Sequence, residues 1–549
     1  MTFFTNAINL PKPASIDRAE LGIDRLIQVS EETGDDVFIS NINAMTSNGE
    51  YRPFLDALFG NSPFLSHCVN TDPIFFLELI MAGPEASFKK IEQELTKKPE
   101  NLDEPKVMQF LRIHRKQGAL TIAAADIAGL WTGPEITQAL SRFSDLYVQY
   151  AINFLLKNMA AKKILNLPDE NNPGEGSGLI VLGMGKLGSH ELNYSSDIDL
   201  IFFFDPEVIE TDQPKNLAKG FIRLARDLVK ILSERTADGY VFRTDLRLRP
   251  DPGSTPLAIS VLAAETYYES IGQNWERAAM IKARPIAGDI SAGHKFLERL
   301  HPFIWRKYLD FATIQDVHSI KRQINAHRGG AEIAVEGHNV KLGRGGIREV
   351  EFFVQTQQLI WGGRLPELRT APTCESLNGL AVAGQISQET ADELIISYWF
   401  LRRVEHRLQM VDDQQTHDLP SDADGIEQIA IFLGYESGDA FREELLSHLN
   451  CVEAHYAQLF EDAPRLDGTD EIKGNLIFTG ADDDPETLNT IKSIGFAQPE
   501  IIAETVRTWH HGRYRATSST RAQQILTELV PVVLKAFSET PEPDIAFRK

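Results

Sequence analysis

Cysteine is scarce in this chain of 549 residues, and basic residues are few relative to acidic ones. The three cysteines, Cys68, Cys374 and Cys451, are widely separated, so they cannot build a disulfide framework or a CxxC zinc site. Lys and Arg number 55 against 78 Asp and Glu, for a formal net charge of −23. Because phosphate contacts need a basic footprint, this balance argues against broad binding of nucleic acid.

Long hydrophobic runs are also missing. No apolar run approaches the ~20 residues that a membrane-spanning helix needs, and the N-terminal sequence lacks the basic and apolar regions of a secretory signal. With so few cysteines, these features predict a cytoplasmic protein that has no membrane partner. Hydrophobic residues make up 42% and charged residues 24% of the chain, which is typical of a globular protein and excludes disorder as its main state.

Helical spacing of apolar residues covers most of the chain, with one interruption. The clearest helical stretch runs from Ser141 to Leu165, and a Pro- and Gly-rich segment, 166–178, follows it as a predicted loop. Segments 178–183, 199–204 and 240–249 are then predicted to be strands. The pattern predicts an α+β fold, predominantly helical, with a sheet domain among helical bundles. We expect an N-terminal helical region, the sheet domain, a helical bundle domain and a further helical region over residues 1–165, 166–300, 301–462 and 463–549.

A glycine-rich turn, GMGKLG at 183–188, directly follows the first predicted strand. With Asp205 about 20 positions on, it is close to the dinucleotide-binding fingerprint, so a Rossmann oxidoreductase is one alternative. Two features count against it, because the interval from Gly188 to Asp197 is too short for a crossover helix and the second strand begins with two carboxylates. A short glycine-rich turn also lets the backbone near Gly188 and Ser189 approach a phosphate.

The second predicted strand begins with two acidic residues, Asp197 and Asp199. Strand side chains alternate between faces, so both carboxylates project to one side, about 7 Å apart. They repel each other unless a cation lies between them, and Mg²⁺ prefers oxygen ligands of this kind. An isolated D-x-D more often marks a solvated turn. Here the apolar run LIFFF follows at once, which places the pair at the rim of a buried strand.

The third predicted strand carries a charged face. Its alternating residues are Arg243, Asp245, Arg247 and Arg249, whereas Phe, Thr and Leu occupy the other face. A half-exposed strand with salt bridges is the simpler interpretation. Beside the D-x-D and the glycine-rich turn, however, Asp245 suits a third metal ligand, and the two later arginines suit bidentate binding of phosphate. This face would form a local cluster of basic residues in a chain that is acidic overall.

Four blocks spanning residues 183–359 resemble the glutamine synthetase adenylyltransferase/adenylyl-removing enzyme family, whose catalytic units belong to the nucleotidyltransferase superfamily. The blocks are GMGKLGSHELNYSSDIDLIFFF, VFRTDLRLRPDPGSTPLA, YYESIGQNWERAAMIKARPIAGD and KLGRGGIREVEFFVQTQQL. In that family the N-terminal unit removes AMP from a tyrosine of glutamine synthetase, using orthophosphate and releasing ADP, and a C-terminal unit adds AMP from ATP. This chain resembles the N-terminal half, with 463–549 as the start of the central regulatory region.

The resemblance implies a nucleotidyltransferase catalytic domain over 166–300 in which Asp197, Asp199 and Asp245 bind Mg²⁺ and are catalytic. It also implies a set of residues that bind substrate and phosphate: Gly185, Lys186, Gly188, Ser189, Ser196, Arg247 and Arg249. The implied substrates are adenylylated glutamine synthetase, orthophosphate and an adenine nucleotide. The implied regulators are the PII signal protein and glutamine.

Two other functions stay open for the same residues. One is ATP-dependent adenylylation of glutamine synthetase, in which an Asp would deprotonate a tyrosine of pKa ~10. The other is a regulatory module that senses nucleotide without catalysis, although a pure sensor has no need of three carboxylates around a metal.

Two smaller groups of charged residues have simpler interpretations. Glu349 and Glu351 are two positions apart on a predicted helix, so they cannot share one face, and we expect Glu351 to be solvated. Residues 275–277, Trp-Glu-Arg, with Lys282 and Arg284, could contact a nucleotide, but we interpret them as a salt-bridged structural element.

Overall fold

The computed structural model is predominantly helical and contains one small mixed sheet, which confirms the predicted α+β fold class. Among the described residues, no helix combines the length and apolar character that crossing a bilayer would need. The structure describes residues 10–97, 103–306, 333–461, 485–510 and 520–548.

Eight helices precede the sheet in the described part of the chain. They are α1 (Ile16–Glu32), α2 (Asp36–Ser47), α3 (Arg52–Asn61), α4 (Pro63–Thr71), α5 (Pro73–Ala82), α6 (Pro84–Thr96), α7 (Glu104–Ile127) and α8 (Gly133–Ala161). Helices α3 to α6 each have a proline near the start that sets the first turn, and side-chain caps such as Ser62 and Asp72 accept backbone N–H bonds. The stretch predicted from Ser141 to Leu165 is the second half of α8, which ends at Ala161, two residues before Lys163 adopts a positive φ of 56°.

Five short strands form the sheet. They are β1 (Leu179–Gly183), β2 (Asp197–Phe204), β3 (Arg243–Asp245), β4 (Ala258–Ser260) and β5 (Arg284–Gly288). Strand β1 is antiparallel to β2 and β5, whereas β3 and β4 both pair in parallel with β2. A Rossmann sheet is mostly parallel, so the antiparallel β1–β2 pair rules out that alternative.

The third predicted strand is much shorter than expected. We predicted a strand over 240–249, but β3 ends at Asp245. The reason is local, since the Asp245 carboxylate accepts a hydrogen bond from the backbone N–H of Arg247 at 2.8 Å, an Asx turn that ends the extended conformation. The charged strand face that the alternation predicted therefore ends at Asp245 and does not include Arg247 and Arg249.

Helices cover both faces of the sheet. They are α9 (Gly185–Gly188), α10 (Pro214–Ser233), α11 (Val261–Ser270), α12 (Asn274–Met280) and α13 (Ile290–Ile304). Because strand side chains alternate, β2 contributes Phe202 and Phe204 to a core shared with α8 and α10, and Ile201 and Phe203 to a core shared with α11 and α13. The sheet is thus buried on both sides, and polar groups are left to its rim.

A second helical module follows, made of α14 (Ile347–Trp361), α15 (Thr373–Val382), α16 (Gln388–Asp412), α17 (Ala423–Leu433) and α18 (Gly438–Glu461). It has its own apolar core, and α16 also packs against α4 and α8. The predicted polar interruption at 412–425 is largely the loop between α16 and α17. Part of the helical pattern predicted over 301–408, and the polar stretch near 462–474, lie outside the described residues. Four further helices with a small core of their own are α19 (Pro485–Ser493), α20 (Pro499–His510), α21 (Thr520–Ser538) and α22 (Pro543–Arg548).

Candidate active site

Parallel pairing of β2 and β3 brings the three predicted carboxylates together. The Cα of Asp199 is paired with that of Asp245, and Asp197 is paired with Arg243. The intervening Ile198 is fully buried on the other face. Burial first, and then the negative charges of Asp197 and Asp245, raise the pKa of Asp199 to about 7. The fold therefore brings three carboxylates so close together that the ionisation of one disfavours the ionisation of the others.

This donor set fits a hard divalent cation. Carboxylate oxygens from two adjacent strands are the ligands that Mg²⁺ takes, and it usually completes its coordination with water and phosphate oxygens. A cation there would offset the repulsion that raises the pKa of Asp199. The positive charges of Lys341 and Arg348, from the segment that begins the helical module, already oppose that repulsion in part.

Arg247 folds back onto Asp245. Its Nε and Nη2 lie 2.9 and 2.7 Å from Asp245 Oδ2. Burial opposes ionisation of the Asp245 carboxyl, but the hydrogen bonds from Arg247 prevail and lower its pKa. The Arg247 side chain is 56% exposed, so this ion pair faces solvent and contributes little to stability. Arg249 instead donates to the carbonyl oxygens of Leu246 and Pro252, each at 2.8 Å, and so holds the turn after β3.

The glycine-rich turn approaches these carboxylates through its backbone. The N–H of Met184 donates to the carbonyl of Asp199 at 2.9 Å. Gly185 has a φ of +53°, and a Cβ there would lie 3.3 Å from Asp199 Oδ2. Gly188 is needed for packing, because its Cβ would fall 1.6 Å from the carbonyl oxygen of Lys282. The turn thus depends on glycine both for its conformation and for its close contacts.

Three predicted phosphate-binding residues beside the turn already have protein partners. Lys186 points its ammonium at the buried Glu405 of α16, with Nζ 3.3 Å from Oε2. Burial lowers the pKa of Lys186 to about 7, although Glu405 opposes this. The Ser189 hydroxyl donates to the carboxylate of Glu191 at 2.8 Å. Ser196 is nearest the carboxylates, with its hydroxyl 3.4 Å from Asp197 Oδ1.

Backbone amides in α9 are partly used as well. The N–H of Gly188 donates to the carbonyl oxygen of Met184 at 3.2 Å, and the N–H of Ser189 donates to that of Gly185 at 3.1 Å. Phosphate binding by these amides, and by Lys186, stays a prediction.

The helical module supplies a site residue that sequence reasoning missed. Gln415, in the loop after α16, donates its Nε2 hydrogen to Asp197 Oδ1 over 2.7 Å. Sequence reasoning also missed Lys341 and Arg348, whose positive charges act on Asp199. They lie more than 140 positions from Asp199 along the chain, and only the docking of the module brings their charges near it. The polar character of 412–425 was the one available signal, and it indicated no more than a loop.

A buried ionic cluster joins the sheet domain to the helical module. Lys282 Nζ lies 2.9 Å from Glu191, which also accepts the N–H of Thr373 at 2.9 Å. The expectation that Glu351 is solvated is wrong, because its side chain is buried. Burial opposes its ionisation, but Lys282 and Lys186 lower the pKa of Glu351. The physical reason is that α14 packs over the sheet, where its Leu359 joins the core of Ile201 and Phe203.

The predicted group at 275–277 makes contacts within the protein. Glu276 is buried and accepts the backbone N–H of Gln273 at 2.8 Å, which caps α12. Arg284 pairs bidentately with Asp145 of α8, at 2.8 and 3.0 Å. These contacts are those expected of the structural interpretation.

An open cleft of ≈ 630 Å³ lies along β3. Both carboxylates and guanidinium groups face it. Its charged and polar lining includes Asp197, Asp245, Arg226, Arg243, Arg247 and Gln415. A site of this composition can hold a cation and an anionic group side by side.

Two regions of the chain match models of known protein families. Residues 54–299 match the family model of glutamate-ammonia ligase adenylyltransferase (GlnE). This part of the chain is thus similar to that family. Residues 318–460, which include the helical module, match the family model of GlnD PII-uridylyltransferase.

Two relatives show how far the similarity extends. The chain is 52% identical over 504 residues to the bifunctional glutamine synthetase adenylyltransferase/adenylyl-removing enzyme of Mesorhizobium japonicum, covering 91% of this chain and 51% of that protein. It is 51% identical over 510 residues to the protein of the same name from Rhizobium meliloti, covering 92% and 51%. The chain thus spans about half the length of the curated relatives it matches. The similarity to GlnE covers residues 54–299, and it leaves the direction of any reaction open.

Proposed function

We propose that this chain removes AMP from the adenylylated tyrosine of glutamine synthetase, with orthophosphate as the nucleophile and ADP as the product. The observation that carries the proposal is the pairing of Asp199 with Asp245 across β2 and β3, beside Asp197. It lies within the GlnE match, along a cleft lined by Arg226, Arg243 and others. Removal of AMP is one of the two activities that the relatives' name carries.

Asp197, Asp199 and Asp245 would hold Mg²⁺. Such an ion supplies stabilisation of charge on the oxygens of the transferred phosphoryl group. The chain's own residues must bind and orient the two reactants. Orthophosphate is already anionic at neutral pH, so the site needs no strong base to activate it. It must hold two anions together in line, which is positional and electrostatic work.

The arginines of the cleft suit that work. A guanidinium group offers parallel N–H donors that match two oxygens of a phosphate. Arg247 is half-exposed and already bound to Asp245, so it lies where an anion beside the carboxylates would need a donor. Gln415 donates a hydrogen bond to Asp197, and Gly185 lets the turn pass within contact of Asp199.

The test is to incubate the chain with adenylylated glutamine synthetase, Mg²⁺ and orthophosphate and to measure ADP. Asp197→Asn and Asp199→Asn are expected to abolish its release. The matched control is Asp205→Asn, just beyond the opposite end of β2, which is expected to keep activity. Near-normal ADP release by the two site variants would contradict the assignment.

Two further arms separate the alternatives. Incorporation of AMP from ATP into unmodified glutamine synthetase, without ADP release in the first assay, would show the adenylylating direction. Binding of adenine nucleotide with neither reaction would indicate a sensing module.

We also propose that PII and glutamine regulate this chain. The proposal is supported by the match of 318–460 to a family named for PII uridylylation and by the contacts of that region with Asp197 and Lys186. It predicts that adding PII or glutamine changes the rate of ADP release, and an unchanged rate with both would contradict it.

A further inference from the structure

Away from the three aspartates, the helical module brings together a carboxylate, a thiol and an imidazole. Glu393 lies on α16, and Cys451 and His455 lie on α18. Residues four apart on a helix share one face, so the thiol and the imidazole point the same way. The ligating atoms of all three residues lie within 4.8 Å of one another. We propose that these residues form a binding site for a transition metal of the Zn²⁺ class.

The kind of donor selects the kind of metal. Thiolate and imidazole prefer Zn²⁺ and its neighbours in the first transition series, whereas Mg²⁺ takes oxygen ligands. Three protein ligands leave a fourth tetrahedral position for water or an external ligand. The site thus differs in chemistry from Asp197, Asp199 and Asp245, which supply oxygen alone. It is also separate in space, since Glu393 precedes Glu405, the partner of Lys186, by three turns of α16, or about 18 Å.

The present spacing needs only a small adjustment. His455 Nε2 and Glu393 Oε2 are 2.6 Å apart in a direct hydrogen bond. Ligands at ~2.0–2.3 Å from a tetrahedral metal are separated by ~3.3–3.8 Å, so this pair must open by about 1 Å. The Glu393 side chain is 47% exposed and His455 only 14%. Movement of the exposed carboxylate can therefore admit the ion while the helices stay packed.

A neighbouring serine contacts the Cys451 thiol. Ser397, one turn after Glu393, hydrogen bonds with the Cys451 thiol, and its hydroxyl also lies 3.0 Å from His448 Nδ1. Burial, with the charge of Glu393 adding to it, raises the pKa of the Cys451 thiol despite that hydrogen bond. The thiol is thus protonated without metal, and binding would release its proton to solvent as the metal–sulfur bond forms.

The experiment uses the full chain after chelator treatment, with excess Mg²⁺ to occupy the aspartate site. Titration with Co²⁺ is expected to give thiolate-to-cobalt charge-transfer absorption that saturates at one equivalent. Only a sulfur ligand produces that band, so binding at the aspartates cannot imitate it. Zn²⁺ should then displace Co²⁺ and bleach the absorption.

Variants of the ligands complete the test. Cys451→Ser should abolish the band, and Glu393→Gln, at an exposed position that folding tolerates, should weaken Co²⁺ binding at least about tenfold. The matched controls are Cys374→Ser in the same module and His294→Ala on the exposed side of α13, and both should leave the titration unchanged. A wild-type chain without the band, or a band that survives Cys451→Ser, would overturn the proposal.

Discussion

Gln415 donates a hydrogen bond of 2.7 Å to the carboxylate of Asp197, and so joins the helical module to the first acidic residue of β2. The same loop makes a second connection, since the Ser195 hydroxyl donates to the carbonyl of Asp413 at 2.9 Å. The segment just before the candidate metal ligands is thus held by residues more than 200 positions later in the chain. A movement of α16 relative to the sheet would therefore change the hydrogen bond to Asp197.

Gln415→Ala tests whether this contact matters for catalysis. Without its donor, Asp197 keeps its charge but loses the group that orients it. Loss of such a supporting contact typically costs about 10–100-fold in metal affinity or activity. We expect a reduced apparent affinity for Mg²⁺ in the ADP-release assay, with folding unchanged because Gln415 is exposed. Gln414→Ala, at the neighbouring exposed position, is the control. Equal behaviour of the two variants would show that the contact has no functional role.

Gly185→Ala tests the close approach of the glycine-rich turn to Asp199. The new Cβ would lie 3.3 Å from Asp199 Oδ2 at a φ of +53°, so it both strains the backbone and presses on a candidate metal ligand. Gly384→Ala is a matched control, because Gly384 also has a positive φ, +69°, but has nothing within 4 Å. Both variants should lose about 1 kcal/mol of stability from backbone strain. Only Gly185→Ala should lower the rate of ADP release, and a similar loss in Gly384→Ala would argue against a local cause.

Glu191→Gln tests the buried cluster between the sheet and the helical module. Burial opposes ionisation of Glu191, but Lys282 prevails and lowers its pKa to about 2. A carboxyl whose pKa is lower in the folded chain stabilises it above the unfolded pKa, about 4.5, and loses that contribution as the pH falls toward 2. The shift corresponds to about 3 kcal/mol at neutral pH.

Urea unfolding of wild type and Glu191→Gln at pH 7 and pH 3 measures this effect. The difference in unfolding free energy should be large at pH 7 and smaller at pH 3, because at pH 3 the carboxyl is already protonated in the unfolded chain, and ionisation in the folded chain then contributes only part of its stabilisation. Glu170→Gln, at an exposed loop position, should show no difference at either pH. A penalty for Glu191→Gln that is independent of pH would mean that the carboxylate charge is not what stabilises the cluster.

Local patterns predicted three of the five described strands, whereas β4 and β5 were not predicted. The apolar run after Asp199 predicts β2, and alternation along two strands predicts that Asp245 faces the same site, as the register confirms. The overlong prediction for β3 failed because an Asx turn at Asp245 competes with the extended conformation. That competition depends on one side chain and is invisible to a period-2 pattern.

Contacts between distant segments could not be predicted. Glu351 was expected to be solvated because it cannot share a helix face with Glu349, yet it is buried and balanced by Lys186 and Lys282 from the sheet domain. Gln415 reaches Asp197 only because α16 packs against α4 and α8. Both features depend on how two apolar cores dock, which periodicity within either segment does not describe.

Asp413 anchors the loop that carries Gln415, and its charge pairs with Arg115 of α7 at 2.7 Å. Both side chains are nearly buried, at 10% and 9% exposure. Removing one partner of a buried pair leaves the other uncompensated, which typically costs about 3–5 kcal/mol. Asp413→Asn isolates that charge, because Asn tolerates the left-handed φ of 52° found there.

We therefore expect Asp413→Asn to lower the free energy of urea unfolding by several kcal/mol, on the order of the buried-pair cost, and to reduce ADP release even where the chain stays folded. Asp412→Asn, at the adjacent exposed position, should change neither. If Asp413→Asn loses stability but retains full activity and Mg²⁺ dependence, the loop serves folding alone. If activity falls in parallel with that of Gln415→Ala, the loop positions Asp197.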